Sequence, residues 1–335
     1  MSIKNYLIAL LCSSSLLLSA QETDSVRYPT FKIDATMKNK VEFASETGMS
    51  RFSVRNSRIG IKGYLTEFVS YRGQLELSDN GNFKVLDLYG ALEPFDGFSV
   101  SLGQTGIPLF NSYITSPGAM LFANRAFIGK YFLSTRDIGA LAEYGFNAGI
   151  VPVTLEFGLF NGNTINDPVW RDRLSYGGRL QLGKMEGLRA TAKFYDYMHS
   201  TTEHYLFYGA DLRYQNNNWK IETEIMKRDD KLNPENQMLS YYVQGAYAIP
   251  LKSDWVFKNI IPAARWDAID KNKTIQGFDI DRLTLGLGFG FKQKYFSSLL
   301  RLDYEWYFVD NELDILSAYE EMDSDKFTIE LLLTF

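Results

Sequence analysis

The sequence predicts an all-β fold: a transmembrane antiparallel β-barrel of about 16 strands, with one long loop folded into the pore. Three observations predict it. Apolar residues recur at every second position through most of the chain, the connections alternate between short and long, and the final segment is itself a strand of this kind. A period of two is the spacing of a strand with one apolar and one wetter face.

The final segment, residues 325–335, reads D-K-F-T-I-E-L-L-L-T-F. Phe327, Ile329, Leu331, Leu333 and Phe335 take every second position; Thr328, Glu330 and Thr334 fill the other face, with Leu332 as the exception. An exposed apolar strand edge invites aggregation in a soluble protein. A closed membrane barrel needs such a strand to pair with its first.

At the other end Lys4 gives a positive start, residues 6–18 are mostly apolar, and Leu18-Ser19-Ala20 offers a small residue for cleavage. Residues 1–20 read as a secretory signal peptide, too short to span a membrane as a helix, which leaves 21–335 as the barrel. Cys12 is the one cysteine and lies within this leader, so the mature chain has no disulfide framework and no thiolate metal site.

Aromatic residues make up 15% and glycine contributes 26 residues. That composition suits aromatic girdles at two membrane interfaces and tightly twisted strands. Mean hydropathy is only −0.19, as expected when one face of each strand meets lipid. Loss of Lys4 takes the 35 Lys+Arg to 34 against 40 Asp+Glu, a balance of −6, and no basic tract offsets it. This argues against a nucleic-acid partner.

The predicted strands, in order, cover residues 31–43, 51–64, 68–78, 83–92, 98–104, 136–146, 151–160, 175–184, 188–198, 205–214, 219–227, 239–249, 260–269, 281–292, 299–310 and 326–335. Connections at 65–67, 184–187, 215–218 and 293–295 are tight; those at 161–174, 229–238, 270–280 and 311–325 are longer and polar. Sorting short turns from long loops is the habit of outer-membrane barrels, and a soluble sandwich has no reason for it. Most prolines fall in turns or loops; Pro152 and Pro262 are placed near strand starts.

One connection stands apart. Residues 107–135 lack a clean period of two and carry Pro108, Pro117, Gly118, Arg125, Gly129 and Lys130 among six tyrosines and phenylalanines. Loops this long are functional or disordered, and the aromatics argue against disorder. Folded into a barrel wide enough to hold water, such a loop sets the bore.

Several segments in order resemble a known family. Residues 51–78 read R-F-S-V-R-N-S-R-I-G-I-K-G-Y-L-T-E-F-V-S-Y-R-G-Q-L-E-L-S, followed by L-D-L-Y-G-A-L-E-P at 86–94, V-S-L-G-Q-T-G-I-P-L-F at 100–110, F-A-N-R-A-F at 122–127 and P-A-A-R-W-D at 262–267. This series resembles the phosphate-selective porins of the O and P type. The resemblance implies a sixteen-stranded, trimeric pore of the Gram-negative outer membrane, with residues 105–135 as the constriction loop. It also implies passive diffusion of small hydrophilic solutes and ions, with anions or phosphate preferred and no cofactor.

The alternation assigns the lumen. Ile59 and Ile61 face lipid, so Arg58, Gly60 and Lys62 face the pore; on the next strand Arg72, Gln74 and Glu76 do. A lipid-facing charge costs about 2–4 kcal/mol at midplane, so inward is the cheap direction. Arg179, Arg189, Lys193, Arg213, Arg265, Arg282 and Arg301 follow the same rule. Arg58, Lys62 and Arg72 on the wall, with Arg125 and Lys130 on the loop, are the candidate selectivity residues, since rings of Arg and Lys favour anions. The competing reading is structural. Asp211 with Arg213, Arg265 with Asp267 and Arg301 with Asp303 brace the wall, and Arg125 pins the loop to an acidic wall residue.

Two other functions compete. A barrel closed to flux displays its loops as a surface receptor or adhesin. A barrel hydrolase needs a His with an acid or a Ser, and His199 and His204 flank one loop with Ser200 and Glu203 between them. A solvated loop tip is the better account of that cluster, nothing there defines a closed metal site, and the expectation is a chain that is not an enzyme. The Asn-Gly pairs at 80–81 and 161–162 are ordinary turn chemistry, not calcium loops.

Overall fold

Alternation of apolar and polar side chains does produce strands, and they close on themselves. The computed structural model describes residues 27–79, 82–111, 116–162, 165–252, 256–270, 279–291, 297–310 and 324–335. The signal-peptide reading falls outside these. Sixteen strands follow in chain order: β1 Lys32–Ala44, β2 in two stretches Ser50–Val54 and Arg58–Thr66, β3 Val69–Asp79, β4 Asn82–Phe95, β5 Phe98–Gly106, β6 Arg136–Ala148, β7 Val151–Phe160 and β8 Ser175–Gly183. The second half comprises β9 Gly187–Ser200, β10 Glu203–Gln215, β11 Trp219–Asp230, β12 as Gln237–Tyr247 and Ile249–Pro250, β13 Asn259–Asp270, β14 Ile280–Gly290, β15 Leu299–Val309 and β16 Lys326–Thr334.

Each strand pairs antiparallel with its neighbour, and β16 pairs with β1 from Thr36 opposite Thr334 to Ala44 opposite Lys326. Closure satisfies every edge, which is what a sheet in lipid requires. Outward positions are apolar and ringed by aromatics at two levels. At the short-turn end Phe95 stacks on Phe98 at 5.0 Å and Trp219 meets Tyr247 at 4.6 Å; at the long-loop end Tyr304 meets Trp306 at 4.4 Å and Trp266 stacks on Phe308 at 5.8 Å.

Two strands are interrupted. In β2, Asn39 of β1 lies opposite Val54 but Thr36 lies opposite Arg58, so one extra residue is inserted between them. This is a β-bulge, and it flips the side-chain parity. Before it Phe52 and Val54 point out and Arg51 reaches inward to Glu42 at 2.8 Å; after it Ile59 and Ile61 point out and Arg58 points in. In β12 the register stays constant on both sides of the gap; pairing lapses at Tyr247 and Ala248, opposite Pro262 and Ile261, and Pro262 has no N–H to donate. Pro262 is the fourth residue of β13, whereas Pro152 is the second of β7.

Residues 107–111 and 116–135 lie inside the barrel, and these described residues include one 3₁₀ turn, Pro117–Ala119, and a single turn of helix, α1, Ile128–Tyr131. Two apolar clusters hold them. Ile107, Leu109, Phe110, Phe127, Ile128 and Phe132 pack on wall residues of β7 and of β9 through β14, and Leu121 and Phe122 pack on Ile261, Leu299 and Leu332. Leu332, the exception to the alternation of the last strand, is fully buried under the loop. Among the described residues, none of β2 through β5 enters either cluster.

Candidate functional site: the lumen constriction

The loop is fastened as much by charge as by grease. Six wall cations among the described residues donate to its backbone carbonyls: Lys38 to Ala123 at 2.8 Å, Arg179 to Phe110 at 2.8 Å, Arg265 to Asn124 at 2.9 Å, Arg282 to Arg125 at 2.7 Å, Arg301 to Met120 at 2.7 Å, and Lys220 to Ala119. Wall carboxylates take the reverse role. Asp303 accepts from the Ala123 amide at 2.7 Å and Asp267 from the Phe127 amide at 3.1 Å. A buried loop must place its backbone polar groups somewhere, and here the wall supplies the partners.

Residues 122–127, F-A-N-R-A-F, are the centre of this fastening. The Arg265 guanidinium lies 4.8 Å from the Phe122 ring centroid and that of Arg282 lies 4.4 Å from the Phe127 centroid. Such contacts add cation–π attraction to the hydrogen bonds. Gly286 makes room for Phe122: a Cβ there would lie 3.0 Å from the ring and 2.7 Å from Asp303. Asn124 donates to Glu305 at 2.9 Å and accepts from Lys40 at 2.7 Å. Further back, Asn111 donates to Glu222 and Glu224, both at 2.8 Å, so one amide spans two buried carboxylates.

The candidate selectivity residues separate into two groups. Arg58 pairs with Glu76 at 3.1 Å, and Arg72 bridges Asp34 at 3.0 Å and Asp87 at 3.2 Å. Lys62 is exposed, opposite Arg72 on one side and Lys32 on the other. Arg125 turns toward this wall: it donates to the Asn56 side-chain oxygen at 3.2 Å, and its Nε is buried without a hydrogen-bond partner. Burial pushes the Arg125 guanidinium below its ordinary range, and the like charges of Arg58 and Arg136 push it further. Lys130 belongs to the other group, within the field of Arg282, Lys326 and Glu305. Burial first, then Arg282 and Lys326, pushes its ammonium down.

Two residues of this wall escape a reading by alternation. Arg136 is the first residue of β6, and its Nε reaches Asp87 at 2.6 Å. Asn56 sits in the bulge with φ at 58°. The odd cation directly after a long loop is the signal for Arg136; Asn-Ser before Arg58 is a weak one for Asn56. The bracing pairs also change. Arg265 does meet Asp267, at 3.3 Å, but Asp211 takes Arg189 and Lys193, and Arg301 takes Glu330. Arg125 meets an amide, not an acidic wall residue.

The histidine loop does not assemble a nucleophile. His204 contacts Asp196 at 2.9 Å, His199 Nδ1 contacts the Gly162 carbonyl at 2.8 Å, and Ser200 Oγ meets Thr202 at 3.0 Å. The His199 ring stacks on Tyr197 at 5.8 Å. Among the described residues no group of three or more His, Cys, Asp or Glu side chains converges as a metal site.

The closed antiparallel sixteen-strand barrel is a fold that this chain shares with solved structures. OmpF of Salmonella typhi, solved as a complex with daunomycin, has a TM-score of 0.66 at 14% identity, over 91% of this chain and 97% of that one. An anion-selective porin from Comamonas acidovorans has a TM-score of 0.63 at 15% identity, over 91% and 99%. OmpT, an outer membrane protein of Vibrio cholerae, has a TM-score of 0.58 at 13% identity, over 94% and 100%. No family model and no curated protein matches the chain, so the resemblance to phosphate-selective porins rests on its motif series.

One expectation is corrected here. The reading of the chain as not an enzyme does not stand, because OmpT stands beside a porin among the similar structures. At this level of identity the likeness is one of fold, and a barrel of this kind does not by itself separate a pore from a catalyst.

Proposed function

We propose that this chain is a porin of a Gram-negative outer membrane, exported through a cleaved signal peptide at residues 1–20 and passing small hydrophilic solutes and ions by diffusion. The observation that carries this reading is the one-sided fastening of residues 107–111 and 116–135. The two apolar clusters spare β2 through β5, where the loop reaches the wall through the Arg125–Asn56 hydrogen bond, so the passage lies beside Arg125, along the wall that bears Arg58, Lys62, Arg72 and Arg136. That wall is mixed, but the named cations outnumber Asp34, Glu76 and Asp87, which supports a bias toward anions. Lys130 adds to the field from the fastened side. Phosphate is one such anion, and the motif series supports it.

A homotrimer fits the surface. Within the strands the most exposed apolar side chains, Phe52 at 89%, Phe83 at 77% and Leu102 at 71%, all lie on β2 through β5. A trimer form of Vibrio cholerae OmpT is among the similar structures.

The test is single-channel current of the refolded chain in a planar bilayer under a KCl gradient. Stable steps with a reversal potential on the chloride side are expected. A folded barrel that carries no current would sink the porin reading in favour of a receptor; a potential on the potassium side would sink the anion bias alone.

A further inference from the structure

The β2 bulge and the loop arginine form one device. Arg125 is the loop cation that reaches the β2–β6 wall, yet Glu76 and Asp87 on that wall are engaged by others. Glu76 accepts from Arg58 at 3.1 Å and from Ser78 at 3.2 Å; Asp87 accepts from Arg136 at 2.6 Å and Arg72 at 3.2 Å. What orients Arg125 is a neutral oxygen, Asn56 Oδ1, at 3.2 Å. An amide oxygen holds a guanidinium in place without cancelling its charge. A carboxylate at the same point would hold it more tightly and neutralise it.

The backbone explains why the oxygen sits there. Asn56 has φ at 58°, in the left-handed region that glycine, asparagine and aspartate tolerate and most residues avoid. The bulge is pinned on both flanks through Ser57. Its Oγ accepts from the Lys38 amide at 3.0 Å, and its carbonyl accepts from the Leu77 amide at 2.7 Å. The extra residue therefore does two things. It flips β2 so that Arg58 faces the lumen, and it turns the Asn56 side chain toward the loop.

We propose that Asn56 is a positioning residue for ion selection: through a neutral oxygen it fixes Arg125 beside Arg58 and Arg136 in the passage. This rests on the porin reading above. Asn56 touches no permeating ion in this scheme and acts through Arg125 alone.

The experiment is a mutant cycle in planar bilayers, on barrels first shown to be folded by heat-modifiable mobility. Asn56→Gly keeps the left-handed backbone and removes the acceptor; Asn56→Asp keeps both and adds a charge against Arg125. Arg125→Gln is the reference. The chloride-to-potassium permeability ratio should fall by about two-fold or more in Asn56→Asp, close to the Arg125→Gln value, and by less in Asn56→Gly. In the Arg125→Gln background, Asn56→Gly should change nothing further. Additive effects there, or ratios in both Asn56 variants equal to wild type while Arg125→Gln shifts, would overturn the proposal. A conducting Arg125→Gln channel with an unchanged ratio would overturn it too and remove Arg125 from the filter, whereas a silent wild-type barrel would overturn the porin reading beneath it.

Discussion

Arg282 holds Asp267 with two hydrogen bonds, 3.0 Å from Nε and 2.6 Å from Nη2. The same guanidinium also donates to the Arg125 carbonyl and lies over Phe127. One buried wall residue thus joins strand to strand and wall to loop. Removing one partner of such a group leaves charge buried without compensation. Arg282→Ala is expected to cost about 3–5 kcal/mol, read as a lower denaturant midpoint of the refolded barrel, and to expose residues 122–127 to limited proteolysis. An unchanged midpoint with intact proteolytic protection would contradict this account of the loop.

Gly286 tests the seat of Phe122. A Cβ at this position meets Asp303 at 2.7 Å and the Phe122 ring at 3.0 Å. Gly286→Leu should displace the ring and cost about 1–3 kcal/mol from overpacking, measured by thermal unfolding in detergent. Gly245, whose Cβ would meet its nearest neighbour at 3.7 Å, is the control: Gly245→Ala should leave the transition nearly where it was.

Leu331 and Leu332 are adjacent and face opposite ways. Leu332 is fully buried beneath Leu121 and Phe122, while Leu331 faces outward. Leu332→Ala should cost about 2–5 kcal/mol, as cavities in packed cores do. Leu331→Ala should cost less, since lipid fills the space. Equal losses in denaturant titrations of the two variants would count against loop packing at this point.

Asn111 separates two like charges. Its amide donates to both Glu222 and Glu224. Asn111→Ala withdraws that donor and is expected to cost about 1–3 kcal/mol. Asn111→Asp sets a third carboxylate against the pair and should cost more at neutral pH. The gap between these two variants should close as pH falls, because protonation removes the repulsion. A gap that widens on acidification would show that the two glutamates do not repel the new group.

Strand number and order were legible because a period of two repeats sixteen times, and each of those segments is a strand. Lumen faces were legible too, since Arg58, Arg72 and Arg301 obey the cost of charge in lipid. What alternation hides is the bulge. R-N-S-R reads as continuous strand, and nothing in those letters announces the extra residue that flips its faces. It also hides the division of the cations. Lys38, Arg265, Arg282 and Arg301 bind loop carbonyls, and every residue has a carbonyl, so no side-chain pattern marks the partner. On the last strand, Leu332 is a visible trace of the loop: an apolar residue on a polar face means that something apolar covers it.

Part of the fastening of the loop spans the seam where the sheet closes. Lys38 belongs to the first strand and Glu330 to the last, and they meet at 3.0 Å; Arg301 also binds Glu330. Lys38 and Arg301 are two of the cations that grip the loop, at Ala123 and Met120. One acid of the last strand therefore aligns both grips, and Leu332 beside it completes the apolar seat. While the sheet is still an open ribbon, its two free ends lie apart and this berth does not exist. The seat around residues 120–123 is therefore complete only when the ribbon becomes a ring.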